Sequence, residues 1–302
     1  MGMRDVSAKV NSLREARAEA CLKVSPESIE LIRTGHAPKG DPLPIARVAA
    51  IQAAKNTPQI IPYCHPVPVD CVTVDFELKE NSIEVVVEVK AVYKTGVEME
   101  ALTAAAAAVL NLFDLLKPVD HDMEIQWIRL AKKTGGKTQF AHAESFRAAV
   151  IVVSDRVAAG TAEDRSGALL TTLLAAQGGD ILSTTCVPDD VDLVADAVTT
   201  SANGVDMLFL TGGTGLSPRD RTPEAVLPLL STRLDGIEHR LRTYSQDRLP
   251  TAMLGRPFAG LLGSTIVVGL PGSPGAVADA VAALFPYLKH ALHIIRGGDH
   301  GD

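Results

Sequence analysis

The first half of the chain holds two short sequences in which a reactive side chain stands beside residues that fix the backbone. Lys39, in PKGD (38–41), precedes an apolar-periodic helix, where a lysine either binds an anion or is simply solvated in a turn. His65 lies in IPYCHPVP (61–68), where three prolines stiffen the backbone. Such a histidine suits an acid/base group, although a structural role is equally compatible with its position.

Two further sequences of the first half add carboxylates and lysines. Glu98 and Glu100, in KTGVEMEA (94–101), begin an Ala-rich helix and point to different sides of it. Either one of them faces a site, or both complement the helix dipole. Asp122, in DHD (120–122), precedes a strand and could act as a general acid or base. Lys137, in KKTGGK (132–137), stands next to two glycines and could reach a phosphate.

In the second half the polar residues follow apolar strands. GGTG (212–215) follows one strand. SPRDRTPE (217–224) leaves Asp220 on a loop before a helix, for which Thr222 is predicted as the N-cap and Pro223 as the first helical residue. PGSPG (271–275) follows another strand and offers Ser273 as a helix N-cap. In VPDD (187–190) Asp190 is a natural N-cap, which leaves Asp189 free for Mg²⁺ or a proton.

The elements that must position the first set of residues give an α+β pattern. An apolar-periodic helix covers 44–56, and residues 72–80 and 82–93 alternate every second residue, as in an antiparallel hairpin. An Ala-rich helix covers 99–116, and its polar residues favour a core helix over a membrane span. A strand over 123–133 completes the pattern.

After residue 145 strands and helices alternate. Residues 148–154, 205–211 and 264–270 are continuous apolar runs, which is typical of strands buried on both faces. The alternation predicts a mostly parallel sheet with helices on both faces, whose ligand site lies at the carboxyl ends of the strands. We therefore expect two domains, residues 1–142 and 143–302.

Composition excludes several classes of function. The chain of 302 residues has a net charge of −7, which argues against binding to nucleic acid or to a membrane surface. No uninterrupted apolar run is long enough to predict a transmembrane helix, and the charged N-terminus does not resemble a secretory signal. The 4 cysteines of the chain form no CxxC pair, so we expect a reduced, cytoplasmic protein.

The motifs of the first half closely resemble the MoaC family, the cyclic pyranopterin monophosphate synthases. DVSAK with REARAEA, then KGD, AAK, IPYCHP, TGVEMEALTAA and KKTGGK follow in order over residues 3–138. The resemblance implies a ferredoxin-like fold, a hexamer with sites at subunit interfaces, and conversion of a cyclised dihydro-GTP intermediate to the pyranopterin with release of pyrophosphate. Within the motifs, Pro42 and Pro44 stand in a stretch that usually lacks proline, close to Lys39.

The resemblance also implies roles for individual residues. Asp122 would be the catalytic acid or base, Lys39 and Lys137 phosphate or acid/base lysines, and Glu98 a supporting carboxylate. The implied substrate contacts are Tyr63, Cys64, His65, Met99 and Glu100. Cations along a triphosphate and proton-shuttling side chains are the groups that such a rearrangement needs.

The motifs of the second half resemble the MogA/MoaB family over residues 148–293. They are SDR with DRSG, VPDD, TGGTGLSPRDRTPEA, the PGSP loop and a closing KHALHI. This resemblance implies a three-layer α/β fold that binds molybdopterin and adenylylates it with Mg-ATP, without a tightly bound organic cofactor. Asp189 and Asp220 would support the transfer and hold Mg²⁺. The implied ligand contacts are Gly212, Gly213, Thr214, Gly215 and Ser273.

Two alternatives remain open at the level of sequence. The C-terminal half could bind molybdopterin or act as a scaffold without catalysis, and the N-terminal half could be inactive because of its prolines. In the pathway that the resemblance implies, sulfur insertion separates the two steps, which argues against direct channelling. Both families favour threefold assemblies, so we expect a homo-oligomer, a trimer or a hexamer, acting on small molecules.

Overall fold

The computed structural model describes residues 2–136 and 145–298. The chain divides into two compact units, residues 1–139 and 140–302, each with its own hydrophobic core. The domain boundary expected between residues 142 and 143 lies outside the described residues.

The first unit has an antiparallel sheet covered by helices. Its elements are β1 (Ser12–Lys23), α1 (Pro26–Arg33), α2 (Pro42–Lys55), α3 (Thr57–Ile60), β2 (Cys71–Leu78), β3 (Ser82–Tyr93), α4 (Glu98–Leu116) and β4 (Glu124–Thr134). The sheet order is β2-β3-β1-β4, and every neighbouring pair is antiparallel. A β-α-β-β-α-β succession in this order is the ferredoxin-like fold, so the expected fold is confirmed.

The central strand β1 has a sequence that does not look like a strand. Its residues, SLREARAEACLK, are rich in the helix formers Ala, Arg and Glu. In the structure Ala16, Ala18 and Ala20 are buried while the residues between them are not, so the period is 2 rather than 3.6. Pairing with β3 on one side and β4 on the other overrides the helix propensity, because it satisfies the backbone of β1 along both edges.

Helix α4 is a core helix. By length and composition alone it could cross a membrane, but Ala101, Ala105 and Leu112 are buried in one cluster with Val85 and Val87 of β3. The predicted preference for a core position is thereby confirmed.

The second unit alternates strands and helices. It contains β5 (Phe146–Val153), α5 (Asp155–Ala158), α6 (Ser166–Ala176), β6 (Gly179–Val187), α7 (Val191–Ser201), β7 (Met207–Thr211), α8 (Thr222–Val226), β8 (Thr232–Arg233), α9 (Asp235–Gln246), β9 (Phe258–Leu262), β10 (Thr265–Leu270), α10 (Pro274–Leu284) and α11 (Tyr287–Ile295). The sheet order is β6-β5-β7-β10-β9-β8. Strands β5, β6, β7 and β10 are parallel, and β9 and β8 add an antiparallel edge.

Apolar clusters lie on both faces of this sheet. One contains residues of α6, α9, α10 and α11, and the other contains residues of α7 and α8. The expected three-layer α/β fold is therefore confirmed. Continuous apolar runs predict the central strands β5, β7 and β10. No such run predicts the edge strand β6, because most of its residues, such as Leu182 and Thr184, are exposed.

Candidate active sites

A cavity of about 830 Å³ lies at the edge where the parallel strands of the second unit end. The loops after β5, β6, β7 and β10 meet there, joined by α9 and the 3₁₀ turn at Pro250–Leu254. All residues predicted for the C-terminal site line this cavity: Asp189, Gly212, Gly213, Thr214, Gly215, Asp220 and Ser273. Its size lies within the range of cavities that hold small ligands.

Two glycines let the loop after β7 approach both the end of β5 and the start of α8. Gly212 has a φ of 111°, and a Cβ at this position would lie 2.1 Å from the carbonyl oxygen of Val153. Gly213 has a φ of 60°, and its Cβ would lie 2.1 Å from the hydroxyl oxygen of Thr222. An L side chain would be both strained and in collision at either position. Backbone, rather than side chains, therefore forms this part of the cavity wall.

Thr222 has a different role from the one predicted. Helix α8 starts at Thr222 itself, and its hydroxyl donates to the Gly212 carbonyl (3.1 Å) instead of capping the helix. Its N–H donates to the Gly213 carbonyl (3.0 Å). The N-cap prediction was wrong because residue 222 already belongs to the helix and Arg221 takes the N-cap position; Thr222 instead connects the glycine loop to α8. The predicted N-caps at Ser273 and Asp190 are confirmed.

Asp189 and Asp155 fix each other at the cavity edge. The Asp155 N–H donates to a carboxylate oxygen of Asp189 (3.2 Å), and the Asp189 N–H donates to Asp155 in return (3.1 Å). Burial raises the pKa of Asp189, and the hydrogen bond from the Asp155 N–H lowers it. The negative charges of Asp155 and Asp220 raise it further, so the pKa lies above its ordinary value. Arg219 forms an ion pair with Asp155. A cation beside Asp189 would relieve the repulsion among these carboxylates.

Asp220 stabilises the loop that carries it. Its carboxylate accepts the Ser217 N–H (2.9 Å), and its own N–H donates to the Ser217 carbonyl (2.9 Å). A Cβ on Gly215 would lie 2.8 Å from this carboxylate, so glycine is needed for the close approach. Among the described residues no group of three or more His, Cys, Asp or Glu side chains could hold a metal. Mg²⁺ bound here would therefore rely on Asp189, Asp220 and oxygens of the ligand.

Several cavity residues were not found from the sequence. Leu241, Arg242 and Ser245 of α9 line the cavity, although α9 reads as an ordinary amphipathic helix. Arg242 is held by the buried carboxylate of Glu238 (3.2 Å). Arg256 contacts the loop of Asp220 without lining the cavity, and it stands in LGRP without a motif that would reveal it. Only the packing of α9 and of the chain that follows it brings these residues to the site.

In the first unit, one group of predicted residues lies where α4 begins. The Asp70 N–H donates to the Lys90 carbonyl (3.0 Å), which places the proline-rich loop near the end of β3. Cys64 and His65 are half-buried in that loop, and Tyr63 is exposed. Glu100 is 2% exposed, and burial raises the pKa of its carboxyl. Burial and then the charge of Glu100 raise the pKa of the Cys64 thiol.

Two more residues of this group stand on the first turn of α4. Met99 is exposed, and Glu98 pairs with Lys133 near the end of β4 (3.3 Å). The carboxylate of Glu98 also raises the pKa of Glu100 after the larger effect of burial. A thiol, an imidazole and two carboxylates are thus gathered at this end of the sheet.

The other predicted residues lie at the opposite end. Asp122 is exposed just before β4, and Lys39 contacts Asp114 near the end of α4 (3.2 Å). Asp41 caps α2, and Pro42 occupies its first position, where proline fits a helix. The predicted Lys137 lies outside the described residues.

The length of α4 separates the two groups within one chain. From Glu98 to Asp114 the helix advances about 24 Å, at a rise of 1.5 Å per residue. Asp122 and Lys39 therefore lie near the opposite end of α4 from His65 and Glu100 of their own chain. Within one chain the predicted residues thus fall into two groups, which we call partial sites.

Family models match both halves of the chain. The model described as the MoaC family matches residues 3–136, and the model described as a probable molybdopterin binding domain matches residues 149–290. The cyclic pyranopterin monophosphate synthase of Deinococcus radiodurans is 47% identical over 136 residues, which are 45% of this chain and 81% of that relative.

Two relatives match over the full length. The molybdenum cofactor biosynthesis bifunctional protein of Chlorobaculum tepidum is 41% identical over 299 residues, covering 99% of this chain and 96% of the relative. The protein of the same name from Synechococcus elongatus is 42% identical over 315 residues, covering 99% of both chains. Since the match runs through both units, this chain belongs to the family of bifunctional molybdenum cofactor biosynthesis proteins, with a MoaC half followed by a molybdopterin-binding half.

Proposed function

We propose that the chain carries two enzymes of molybdenum cofactor biosynthesis. The N-terminal half converts a cyclised dihydro-GTP intermediate to cyclic pyranopterin monophosphate and releases pyrophosphate. The C-terminal half binds molybdopterin and transfers to it the adenylyl group of Mg-ATP, which also releases pyrophosphate. Family membership over both halves supports this assignment.

In the N-terminal reaction, Asp122 acts as the catalytic acid or base. Its exposed carboxyl is accessible to a bound substrate. Lys39 and Lys137 bind phosphate oxygens as the triphosphate is broken. From the other partial site, His65 and Glu98 complete the acid/base set, while Tyr63, Cys64, Met99 and Glu100 hold the substrate.

The separation of the two partial sites supports a site shared between protomers. Each site would combine Asp122 and Lys39 of one protomer with His65 and Glu100 of another, because in a single chain these two groups lie near opposite ends of α4. We propose a homo-oligomer with threefold symmetry, a trimer or a hexamer, for which such sharing is natural.

The C-terminal reaction rests on one observation above all. Two carboxylates, Asp189 and Asp220, line one cavity together with the glycine loop 212–215. Adenylyl transfer requires positioning and neutralisation of charge rather than a nucleophile from the protein. Asp189 and Asp220 would hold the Mg²⁺ that accompanies ATP and supplies this neutralisation. Glycine-rich backbone and Thr214 would hold the ligand, with Ser273 at the start of α10.

A non-catalytic molybdopterin-binding module is the alternative for the C-terminal half. A binding module has no need for two carboxylates that repel each other, and the raised pKa of Asp189 means that its charge is costly in the free protein. This arrangement favours the enzyme. The substrates of both halves are small molecules, and we place both reactions in the cytoplasm.

The decisive experiment gives the full-length protein molybdopterin, Mg²⁺ and ATP, alongside the double variant Asp189→Asn/Asp220→Asn. We expect adenylylated molybdopterin from the parent and at least about 100-fold less from the variant, with molybdopterin binding retained. Binding without product by the parent would instead establish a binding module.

A further inference from the structure

Arg256 stands in the chain between two cavity-lining residues without lining the cavity itself. Gly255 and Pro257 belong to the wall, and Arg256 lies just beyond the 3₁₀ turn at Pro250–Leu254. Its side chain is 34% exposed, and one terminal nitrogen forms an ion pair with Glu224 of α8. Glu224 thus already compensates the positive charge of Arg256. The contacts of Arg256 therefore do not indicate that it binds an anion directly.

Its other donors all reach backbone carbonyls of the cavity loop. The Arg256 N–H donates to the carbonyl of Thr214 (2.9 Å), and its Nε donates to that of Gly215 (2.9 Å). The remaining terminal nitrogen donates to the carbonyl of Asp220. One arginine therefore holds the glycine loop, the loop of Asp220 and the start of α8.

The planarity of the peptide bond determines which way the N–H groups of this loop point. In a planar trans peptide the C=O and the N–H point in opposite directions. With the Thr214 and Gly215 carbonyls turned to Arg256, the N–H groups of Gly215 and Leu216 point away from it. Both of these residues line the cavity. Consecutive backbone N–H groups on a concave surface form a binding site for an anion.

We propose that Arg256 is a positioning residue for the C-terminal reaction. Its backbone N–H holds the Thr214 carbonyl, and its guanidinium holds those of Gly215 and Asp220. Together these contacts aim the N–H groups of Gly215 and Leu216 into the cavity, where they bind the phosphate of molybdopterin, and the guanidinium contacts are the part that only arginine supplies. Through the Asp220 carbonyl it keeps the Asp220 carboxylate in place. The part concerning molybdopterin rests on the function proposed above, whereas the orientation of the loop does not.

Three single variants of the full chain test this inference: Arg256→Met, Arg256→Lys and Glu224→Gln. Methionine keeps the length of the side chain and removes every side-chain donor. Lysine keeps the charge but cannot reach two carbonyls with a planar fork. The matched control, Glu224→Gln, removes the ion pair and leaves the three carbonyl contacts.

Two measurements are made on each variant. The first is hydrogen exchange of the backbone amides of residues 214–221 by mass spectrometry, without ligand. The second is molybdopterin affinity by fluorescence titration. For Arg256→Met and Arg256→Lys we expect exchange about 10-fold faster in this segment alone and molybdopterin binding at least about 10-fold weaker. Glu224→Gln is expected to stay within about 2-fold of the parent in both measurements.

The outcomes separate the two proposals. Unchanged exchange in Arg256→Met overturns the inference whether or not the parent binds molybdopterin. So does full recovery by Arg256→Lys, which would assign the effect to charge, or equal damage in Glu224→Gln. Uniformly faster exchange over the whole chain would show a merely stabilising role. If the parent binds no molybdopterin while Arg256→Met speeds exchange in the segment, the positioning role holds and the proposed function fails.

Discussion

Aspartates that look alike in the sequence differ in what their carboxyl groups contact. Asp120 and Asp122 are two residues apart, yet Asp120 is 5% exposed and accepts hydrogen bonds from the Ser25 N–H (2.6 Å) and the Ser28 hydroxyl (2.8 Å). Burial raises the pKa of Asp120, but these hydrogen bonds outweigh it, so the pKa is lowered. Asp120 therefore fixes the structure, and Asp122 remains accessible for chemistry.

This difference predicts opposite effects of the two asparagine substitutions. Asp122→Asn should lower the rate of cyclic pyranopterin monophosphate formation by at least about 100-fold, with the free energy of unfolding changed by less than about 0.5 kcal/mol because the residue is exposed. Asp120→Asn should cost about 1–3 kcal/mol of stability, because the serine hydrogen bonds lose their charged acceptor and the amide NH₂ replaces the oxygen that accepts the Asp122 N–H (3.3 Å). Enzyme assays and denaturant unfolding of both variants provide the check. A fully active Asp122→Asn would remove Asp122 from the mechanism.

The raised pKa of Asp189 predicts how stability depends on pH. A carboxyl with a folded-state pKa above its unfolded value holds its proton more tightly when folded, so its ionisation destabilises the protein as pH rises through the window above the normal value. Asp189→Asn should therefore be at least as stable as the parent at pH 7, with an advantage that shrinks as pH falls through the raised pKa of the folded state and is gone once pH reaches the ordinary aspartate value. Urea unfolding of both proteins at several pH values measures this, and a variant that is less stable at pH 7 would contradict it.

At the scale of elements, the C-terminal site is built mainly from the ends of strands and the starts of helices. Parallel strands β5, β6, β7 and β10 end on one edge, so residues that are distant in the chain meet there. The glycine loop then needs close contacts that only glycine permits, as at Gly213 beside Thr222. Sequence motifs reveal the glycines, whereas the partner that each one approaches is visible only in the fold.

Two glycines with positive φ provide a matched test of the loop. Gly204→Ala should cost about 1 kcal/mol, because it forces a side chain into the left-handed region but meets nothing within 4 Å. Gly213→Ala has the same strain and also a collision with Thr222. We expect it to lose more stability and to weaken molybdopterin binding at least about 10-fold, a cost of about 1.4 kcal/mol. Equal molybdopterin affinity in both variants would show that the loop is not part of the site.

At the scale of the whole molecule, α4 keeps Asp122 and His65 at opposite ends of one sheet. Chains with Asp122→Asn and chains with His65→Ala should each be inactive as pyranopterin synthases. If sites are shared pairwise between protomers, random mixing makes about half of the pairs mixed, and each mixed pair has one intact site of two. We therefore expect about a quarter of parental activity after co-refolding. Activity that stays at the level of the single variants would mean that each chain forms its own site.

The sequence by itself determined the two halves, their fold classes and nearly all of the candidate site residues. Apolar runs and alternation mark strands whose burial is strong, and the motifs carry glycines and charges at spacings that few families share. Local signals missed β1, whose composition favours a helix until pairing on both edges imposes a period of 2, and the edge strand β6, which buries little.

Only the tertiary structure decided which of those residues meet. It joined Asp189 to Asp155, separated Asp122 from His65, and moved Thr222 from a helix cap to the glycine loop. It also brought Arg256 to three carbonyls of a loop that lies more than thirty residues earlier in the chain. The physical reason is that hydrogen-bond partners distant in sequence leave no periodic trace: a pattern records burial on one face, but a contact depends on where the chain returns.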